Sequence, residues 1–454
     1  MELASTTLDA EYKLIEQEGR ESYFRYEAIF VTAKEEIPCM QVTTTDCICD
    51  YVNASTDEML ISVVLKWGEY LNRVLPFKEN LRLTLRRTST NNTGNVLVDD
   101  RVEQTFTAIL QGEPETALMG DSPETASEDA SDISGIKRIQ VQLQEDAYAL
   151  TRSERVGGVF RDTSAHSALM ALLNQSINGM DLEADQKIKG IDTVPPSNTS
   201  KRSAIVIPHG TPLVAVAEKL QTQHGGIYNA GIGCYLKKGM WHVKPLYDHT
   251  RYDTAKNTAL FVIPPTQRYK GVERTWRKVD DHLTVFITGG IQRTDPSEIR
   301  LLNEGNGARF PNADAMMEGF FEVSGNKATA KRTNNANEYE AISRKANNLT
   351  RFSEDMSTSN VHHEASKVAS RNGAYLTLIW ENSRPGMIEP NLQCEIGFVS
   401  NGVPAFINGV VIHEHAFSGV AGTGLHQDIH QVTTEIVVMV DRNSPAYTRF
   451  LKSQ

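Results

Sequence analysis

The stretch VIHEHAFSGVAGTGLHQDIHQ (residues 411–431) places four histidines within eighteen residues: His413, His415, His426 and His430. An H-x-H pair on a strand can chelate zinc, and histidines four residues apart can do so on one face of a helix. Alternation along an extended strand predicts equally that Val411, His413, His415 and Phe417 share one face without holding any ion. This stretch therefore separates two interpretations, a metal-dependent enzyme and a structural β-protein.

The surrounding sequence favours the structural interpretation. The segment AFSGVAGTG between the two histidine pairs is typical of a glycine-rich loop, and no H-E-x-x-H motif occurs in the chain. His362 and His363 open a predicted helix, where adjacent side chains point about 100° apart and cannot share an ion. We predict no metal site, no catalytic residue and no cofactor. A histidine-based, metal-dependent hydrolase stays as the less favoured alternative.

Other catalytic motifs are missing from the sequence. There is no G-x-S-x-G nucleophile elbow, no phosphate-binding loop and no G-x-G-x-x-G that leads from a strand into a helix. Cys47 and Cys49 lie on a predicted strand with both thiols on one face, which favours a small apolar pair over a redox or metal site. The four tryptophans are predicted core or interface anchors: Trp67, Trp241, Trp276 and Trp380.

The amino-acid composition narrows the class of protein further. The 454 residues allow about three domains, and 40% apolar with 23% charged residues is ordinary for a soluble globular chain. Five scattered cysteines do not form a disulfide framework, so reduced thiols are expected. No run is apolar enough for a membrane span, and the polar, acidic amino terminus does not resemble a secretory signal.

A net charge of −11 disfavours specific nucleic-acid binding, which normally needs a basic stripe. The nearest candidate is LRLTLRRTST, where Arg82, Arg86 and Arg87 alternate with leucines. We interpret it as a strand with one basic face.

Two patterns of secondary structure recur along the chain. Short runs in which apolar and polar residues nearly alternate, such as YFRYEAIFVTA, predict antiparallel strands with one solvent-exposed face. A helical stripe begins at Thr163 or Ser164, and a second helix runs from Thr211 to a Gly225–Gly226 stop. The run that follows predicts a β-hairpin with its turn at Gly239.

Three segments resemble the baseplate central hub proteins of contractile-tailed bacteriophages, the T-even-type hub with the late-control protein D and VgrG group as distant relatives. The first is IPHGTPLVAVAEKLQTQHGGIYNAGIGCYLKKGMWHVKPLYD (207–248), a helix before a strand pair. The second is HHEASKVASRNGAYLTLIWENSRPGMIEPNLQCEIGF (362–398), and the third is AFINGVVIHE (405–414), with Val410 and His413 in a V-x-x-H spacing.

The resemblance implies a β-dominated α+β fold with two tube-type antiparallel β-barrel-like domains and helical and loop insertions. It predicts the following division: an amino-terminal arm (1–20), a first β domain (21–110), an acidic flexible linker (111–135), an α+β domain (136–255), a second β domain (256–290 with 371–445) and an insertion (291–370).

The implied function is that of a non-enzymatic virion protein. Such hubs are homotrimers that adapt a six-fold tail tube to a three-fold central spike, contact the baseplate wedge proteins and let DNA pass through their lumen. The implied location is the tail baseplate, after synthesis in the host cytoplasm. A tail-tube or tail-completion protein, equally rich in strands, is the alternative.

We expect metal analysis of the purified protein by plasma mass spectrometry to find no stoichiometric zinc, because nothing beyond the histidines themselves indicates a metal site. A content of about one zinc per chain that falls in a His413→Ala/His415→Ala variant would instead support the hydrolase.

Overall fold

The computed structural model describes residues 13–15, 23–90, 96, 101–111, 135–179, 187–264, 274–294, 373–400, 402–420 and 429–453, with shorter pieces at 308–311, 329–332 and 338–342 and five positions between 362 and 370. Strands dominate the described residues and helices are few, which confirms the predicted β-rich α+β class. Of the predicted acidic linker, residues 112–134 lie outside the described part, as do most of residues 1–20 and 291–370.

The strands of the first half, in chain order, are β1 (Tyr23–Val31), β2 (Glu36–Pro38), β3 (Gln41–Asp50), β4 (Glu58–Lys66), β5 (Arg82–Thr90), β6 (Val102–Leu110), β7 (Ile136–Gln144), β8 (Arg155–Thr163), β9 (Gly190–Thr193), β10 (Arg202–Pro212), β11 (Ile232–Lys237) and β12 (Met240–Pro245). Those of the second half are β13 (Thr258–Val262), β14 (Trp276–Val279), β15 (His282–Phe286), β16 (Ile291–Thr294), β17 (Ala308–Pro311), β18 (Thr329–Arg332), β19 (Glu338–Ile342), β20 (Gly373–Glu381), β21 (Gln393–Ser400), β22 (Val403–Val420) and β23 (Ile429–Asp441).

The longer helices are α1 (Asp146–Thr151), α2 (Ala165–Gly179), α3 (Leu213–Gln223) and α4 (Pro445–Ser453). Short helical turns cover Trp67–Glu69, Tyr70–Val74, Leu75–Asn80 and Tyr252–Thr254.

Eight strands close on themselves to form a first barrel. Around the ring the order is β3, β4, β7, β6, β5, β1, β23 and β22, and every neighbouring pair is antiparallel, including the pair between β22 and β3 that completes the circuit. Period-two alternation points every second side chain inward, as Phe24, Tyr26, Ala28 and Phe30 of β1 show. Closure leaves no unpaired edge in this ring.

A second sheet of eight strands curls into a barrel-like body. Its order is β14, β15, β13, β21, β22, β23, β20 and β16. The segment before β14 contacts the end of β20 through Thr275, whose hydroxyl donates to the carbonyl of Glu381 at 2.9 Å and accepts from the indole of Trp380 at 2.8 Å. Trp380 is fully buried in the core that this sheet encloses.

The two barrels share β22 and β23. Residues 403–410 of β22 pair with β21 of the second barrel, and residues 413–419 pair with β3 of the first. In β23, residues 429–430 pair with β1 and residues 433–441 with β20. The shift of β22 between barrels falls at a β-bulge between Val411 and His413, the device by which a strand bends.

The bulge corrects one prediction about the histidine stretch. Val411 is fully buried in the second barrel, whereas His413 and His415 are half-buried and Phe417 is exposed on the first. The prediction that these four residues share a continuous face is wrong because the extra residue interrupts the alternation.

Residues 145–248 form a smaller α+β unit with its own core. The predicted stripe of α2 is confirmed, since Ala165, Ala168, Leu169, Leu172 and Leu173 are all buried. The Ser164 hydroxyl accepts from the Ser167 amide at 3.1 Å as a helix cap. The predicted Gly225–Gly226 stop and the hairpin turn at Gly239 are present, each with positive φ.

Strand β7 falls within residues 136–255 of the predicted division, yet it pairs with β4 and β6 inside the first barrel. Ile15 of the amino-terminal arm is fully buried against Val262 and Phe286 on the outside of the second barrel. The division into domains stays a prediction.

We expect Gly409→Ala to lower the free energy of unfolding by about 1–3 kcal/mol, measured by urea denaturation, because overpacking a filled core forces neighbours apart. A Cβ at Gly409 on β22 would lie 2.6 Å from Cγ1 of Val438 and 3.1 Å from the carbonyl oxygen of Met439.

The matched control is Gly179→Ala on α2, where a Cβ would meet nothing within 4 Å. Its stability should stay within about 0.5 kcal/mol of the parent or rise slightly. Equal stability of the two variants would contradict the close packing of the shared strand.

Candidate functional site

The described histidines of residues 411–431 lie on opposite faces of the first barrel's wall. Beyond the bulge, Glu414, Ala416 and Ser418 face inward, so His413 and His415 face outward. His415 donates from Nε2 to a carboxylate oxygen of Asp46 on β3 at 2.6 Å. This contact is a cross-strand pair between half-buried side chains.

His430 is fully buried inside the same barrel. Its Nε2 donates to the carbonyl of Val42 at 3.0 Å, its Nδ1 lies 3.4 Å from the hydroxyl of Ser418, and its ring meets Tyr26 edge-on at 5.1 Å. Because both ring nitrogens are engaged within the barrel, His430 is a core residue with satisfied polar groups. It does not converge with His413 and His415.

The remaining histidine predictions are partly outside the described residues. His426 and His363 are among those left out, and His362 contacts the side-chain oxygen of Asn229. The prediction of no metal site at the histidines therefore stays a prediction.

The arginines of β5 are engaged within the chain. The shortest contacts are Arg82 with Asp146 (2.6 Å), Arg86 with Glu103 (2.8 Å) and Arg87 with the carbonyl of Pro385 (2.9 Å). Arg87 lines the barrel interior, opposite to Arg82 and Arg86, so the prediction of one basic face is wrong for this residue.

The tryptophan prediction is confirmed for three of the four residues. Trp241, Trp276 and Trp380 are buried, whereas Trp67 is half-buried beneath the ammonium group of Lys137. All five cysteines are free thiols. The Cys47 and Cys49 sulfurs lie 3.9 Å apart, which confirms that they share a face. The prediction of a buried apolar cysteine pair is wrong, because Cys47 is half-buried and the Cys49 sulfur lies 3.4 Å from the Lys237 ammonium.

A buried ionic cluster, centred on Lys237, joins both barrels to the α+β unit. Its ammonium nitrogen lies 3.1 Å from the Tyr51 hydroxyl, 3.3 Å from Glu414, 3.4 Å from the Cys49 sulfur and 3.5 Å from Asp57. These groups come from the end of β11, the end of β3, the middle of β22 and the loop before β4. One side chain therefore links three parts of the molecule.

The protonation of this cluster is set by two opposed effects. Burial alone would lower the pKa of Lys237, but the charge of Asp57, with Tyr51, Cys49 and Glu414, holds that pKa well above its ordinary value. Burial raises the pKa of Tyr51. The lysine therefore stays an ammonium and the tyrosine a neutral phenol, so neither serves as nucleophile or base near neutral pH.

Cys47, Cys49 and Asp57 are the one group of three metal-type ligands that the described residues bring together, with donor atoms within 4.8 Å. One observation opposes an ion there. The Lys237 ammonium, 3.4 Å from the Cys49 sulfur, already supplies a positive charge.

A cavity of about 350 Å³ occupies the first barrel beside the cluster. Its walls are apolar, with Tyr26, Met59, Leu85 and Phe106, and Lys237 and Glu414 stand at its polar end. The thiols of Cys47 and Cys49 and the carboxylates of Asp57 and Glu145 also line it.

Sequence reasoning missed this cluster. Alternation in IGCYLKK places Lys237 on the same strand face as Tyr235. A lysine on a face that carries a tyrosine of the core indicates a buried charge. Glu414 lies between His413 and His415, and its position in the sequence does not indicate that it is buried. Nothing in the local sequence around Asp57 indicates its partners.

No family model matches the sequence, and no curated protein is significantly similar to it. Solved structures are similar in fold. One is the 43 kDa tail protein of prophage MuSo2 from Shewanella oneidensis, with 10% identity over 91% of this chain and 98% of the other and a TM-score of 0.44.

Two further solved structures also match this chain. The E. coli c3393 protein, described as a type VI secretion component similar to T4 tail proteins gp27 and gp5, shares 8% identity over 90% of this chain and 76% of its own, with a TM-score of 0.42. A half-lidded Francisella PdpA–VgrG complex gives 9% identity over 97% of this chain and 63% of the other, with a TM-score of 0.39. Among the described helices, none has the length and apolar character of a bilayer crossing.

We expect Lys237→Met to lower the free energy of unfolding by about 3–5 kcal/mol, because it leaves Glu414 buried without its cation. Chemical denaturation followed by circular dichroism measures this loss. A second change, Glu414→Gln in the same chain, should recover more than about 1 kcal/mol, since the two residues are coupled.

Lys238→Met is the matched control, because this neighbouring lysine is exposed. This variant should lower the free energy of unfolding by less than about 1 kcal/mol. If Lys237→Met and Lys238→Met lowered the free energy of unfolding equally, the ionic cluster would not hold the three parts together.

Proposed function

We propose that the chain is a structural protein of a phage-type contractile tail, and that it forms the central hub of the baseplate. The observation that carries this proposal is the presence of two β-barrel bodies in one chain, joined through the same two strands. The resemblance of residues 207–248, 362–398 and 405–414 to hub proteins supports the same assignment.

The physical argument is one of symmetry. Three copies of a chain with two similar barrels supply six modules, which can match a six-fold tube on one side, while the true three-fold fits a trimeric spike on the other. A strand that runs through both barrels fixes their relative orientation, because its backbone hydrogen bonds cannot be kept while one barrel rotates. A ring of defined geometry needs this rigidity.

The same proposal covers partners and location. The protein acts without catalysis in the virion, assembles as a homotrimer, contacts spike, tube and wedge proteins, and reaches the particle after synthesis in the host cytoplasm. DNA passes through the lumen without being held. Three copies carry about three times the net charge of −11, which repels phosphate.

We expect native mass spectrometry of the full-length protein to give a complex of three chains, with a three-fold ring of six densities in averaged electron-microscope images. A hexamer would favour the tail-tube alternative. A monomer that stays single up to high concentration would overturn the assignment.

A further inference from the structure

Strand β9 of the α+β unit has an open edge. The three-stranded sheet has the order β11, β12, β9, so β9 pairs on one side only within the described chain. The Val194 amide donates to the Val243 carbonyl at 3.2 Å, toward β12. Because successive backbone groups alternate in direction, those of Ile191 and Thr193 point to the other side.

A cleft of about 860 Å³ between the α+β unit and the second barrel lies beside that edge. One wall is β9 with Met240 and Lys244 of β12, and the other wall is formed by residues 251–257 and 389–393. The cleft offers apolar contacts at Met240 and Pro390, and a volume in the usual range for ligand sites.

The charge around this cleft is opposite to that of the whole chain. Its lining has six cationic side chains, Lys189, Lys237, Lys238, Lys244, Arg251 and Lys256, against the carboxylates of Asp192 and Glu389. The chain as a whole has a net charge of −11. A local excess of this sign on an acidic protein attracts anionic groups.

Several of these cations already have partners within the chain. Lys237 belongs to the buried cluster, Lys244 lies 2.7 Å from Asp192, and Arg251 lies 3.3 Å from Asp248. Lys189 and Lys256 are exposed and form no ion pair with another described residue.

We propose that this cleft binds an extended, acidic peptide segment of a partner chain, which adds as a strand to the outer edge of β9. Backbone hydrogen bonds to Ile191 and Thr193 supply the register, the apolar contacts accept alternate side chains, and Lys189 and Lys256 pair with acidic ones. The inference goes beyond the hub assignment and does not depend on it.

The test is fluorescence anisotropy of the full-length protein with a short fluorescein-labelled peptide in which glutamate and valine alternate. We expect saturable binding, and a Lys189→Glu/Lys256→Glu variant should bind about tenfold more weakly or worse. The matched control is Lys278→Glu, which changes an exposed lysine on β14, away from the cleft, and should bind as the parent does.

Strand addition is tested separately from charge. Thr193→Pro removes an outward amide, whereas Thr193→Ala keeps it, so only the proline variant should lose binding by about tenfold. Circular dichroism confirms that both variants are folded. The same peptide with alternate backbone amides methylated should fail to bind the unaltered protein.

Three results would overturn the proposal: no saturable binding, undiminished binding of the methylated peptide, or equal binding of a peptide with lysine in place of glutamate. Tighter binding of an oligothymidine, lost in the Lys189→Glu/Lys256→Glu variant, would identify a nucleic-acid site instead.

Discussion

Both barrels of this protein close through β22 and β23, and the rest of the architecture depends on that sharing. A long strand can serve two barrels only if it bends where they meet, and the bulge between Val411 and His413 supplies the bend. On one side of the bulge the side chains of β22 fill the second core, and on the other side they fill the first. Packing in one barrel therefore constrains the register of the other, since a slip of one residue would turn both inner faces outward.

The Lys237 cluster also connects parts of the molecule, through buried charges instead of shared strands. Shared strands hold the two barrels together, whereas the α+β unit is attached through side chains and short backbone contacts such as the Leu236 amide to the Ser55 carbonyl at 2.8 Å. Burying a lysine is costly unless every charge is compensated, and here Glu414 and Asp57 compensate it only in one arrangement of the three parts. We infer that the cluster fixes the relative orientation of the three parts.

Barrel closure also explains where binding remains possible. Strands inside the ring have no free edges. His415 on β22 pairs across strands with Asp46, and His430 on β23 fills the interior. The exposed edge of β9, set beside a basic cleft, is a different surface. A closed ring and an open strand edge therefore occur in the same chain.

The sequence by itself determined the local features. Period-two and helical patterns predicted β1, β22, α2, the hairpin at Gly239 and the stop at Gly225–Gly226, because side-chain periodicity and glycine conformation are properties of a few neighbouring residues. Only the tertiary structure decided that β7 joins the first barrel, that a bulge separates Val411 from His413, and that Lys237 meets Glu414 and Asp57. These facts depend on contacts between residues far apart in the chain. The energy of a bend or a buried charge is set by partners that no local pattern identifies.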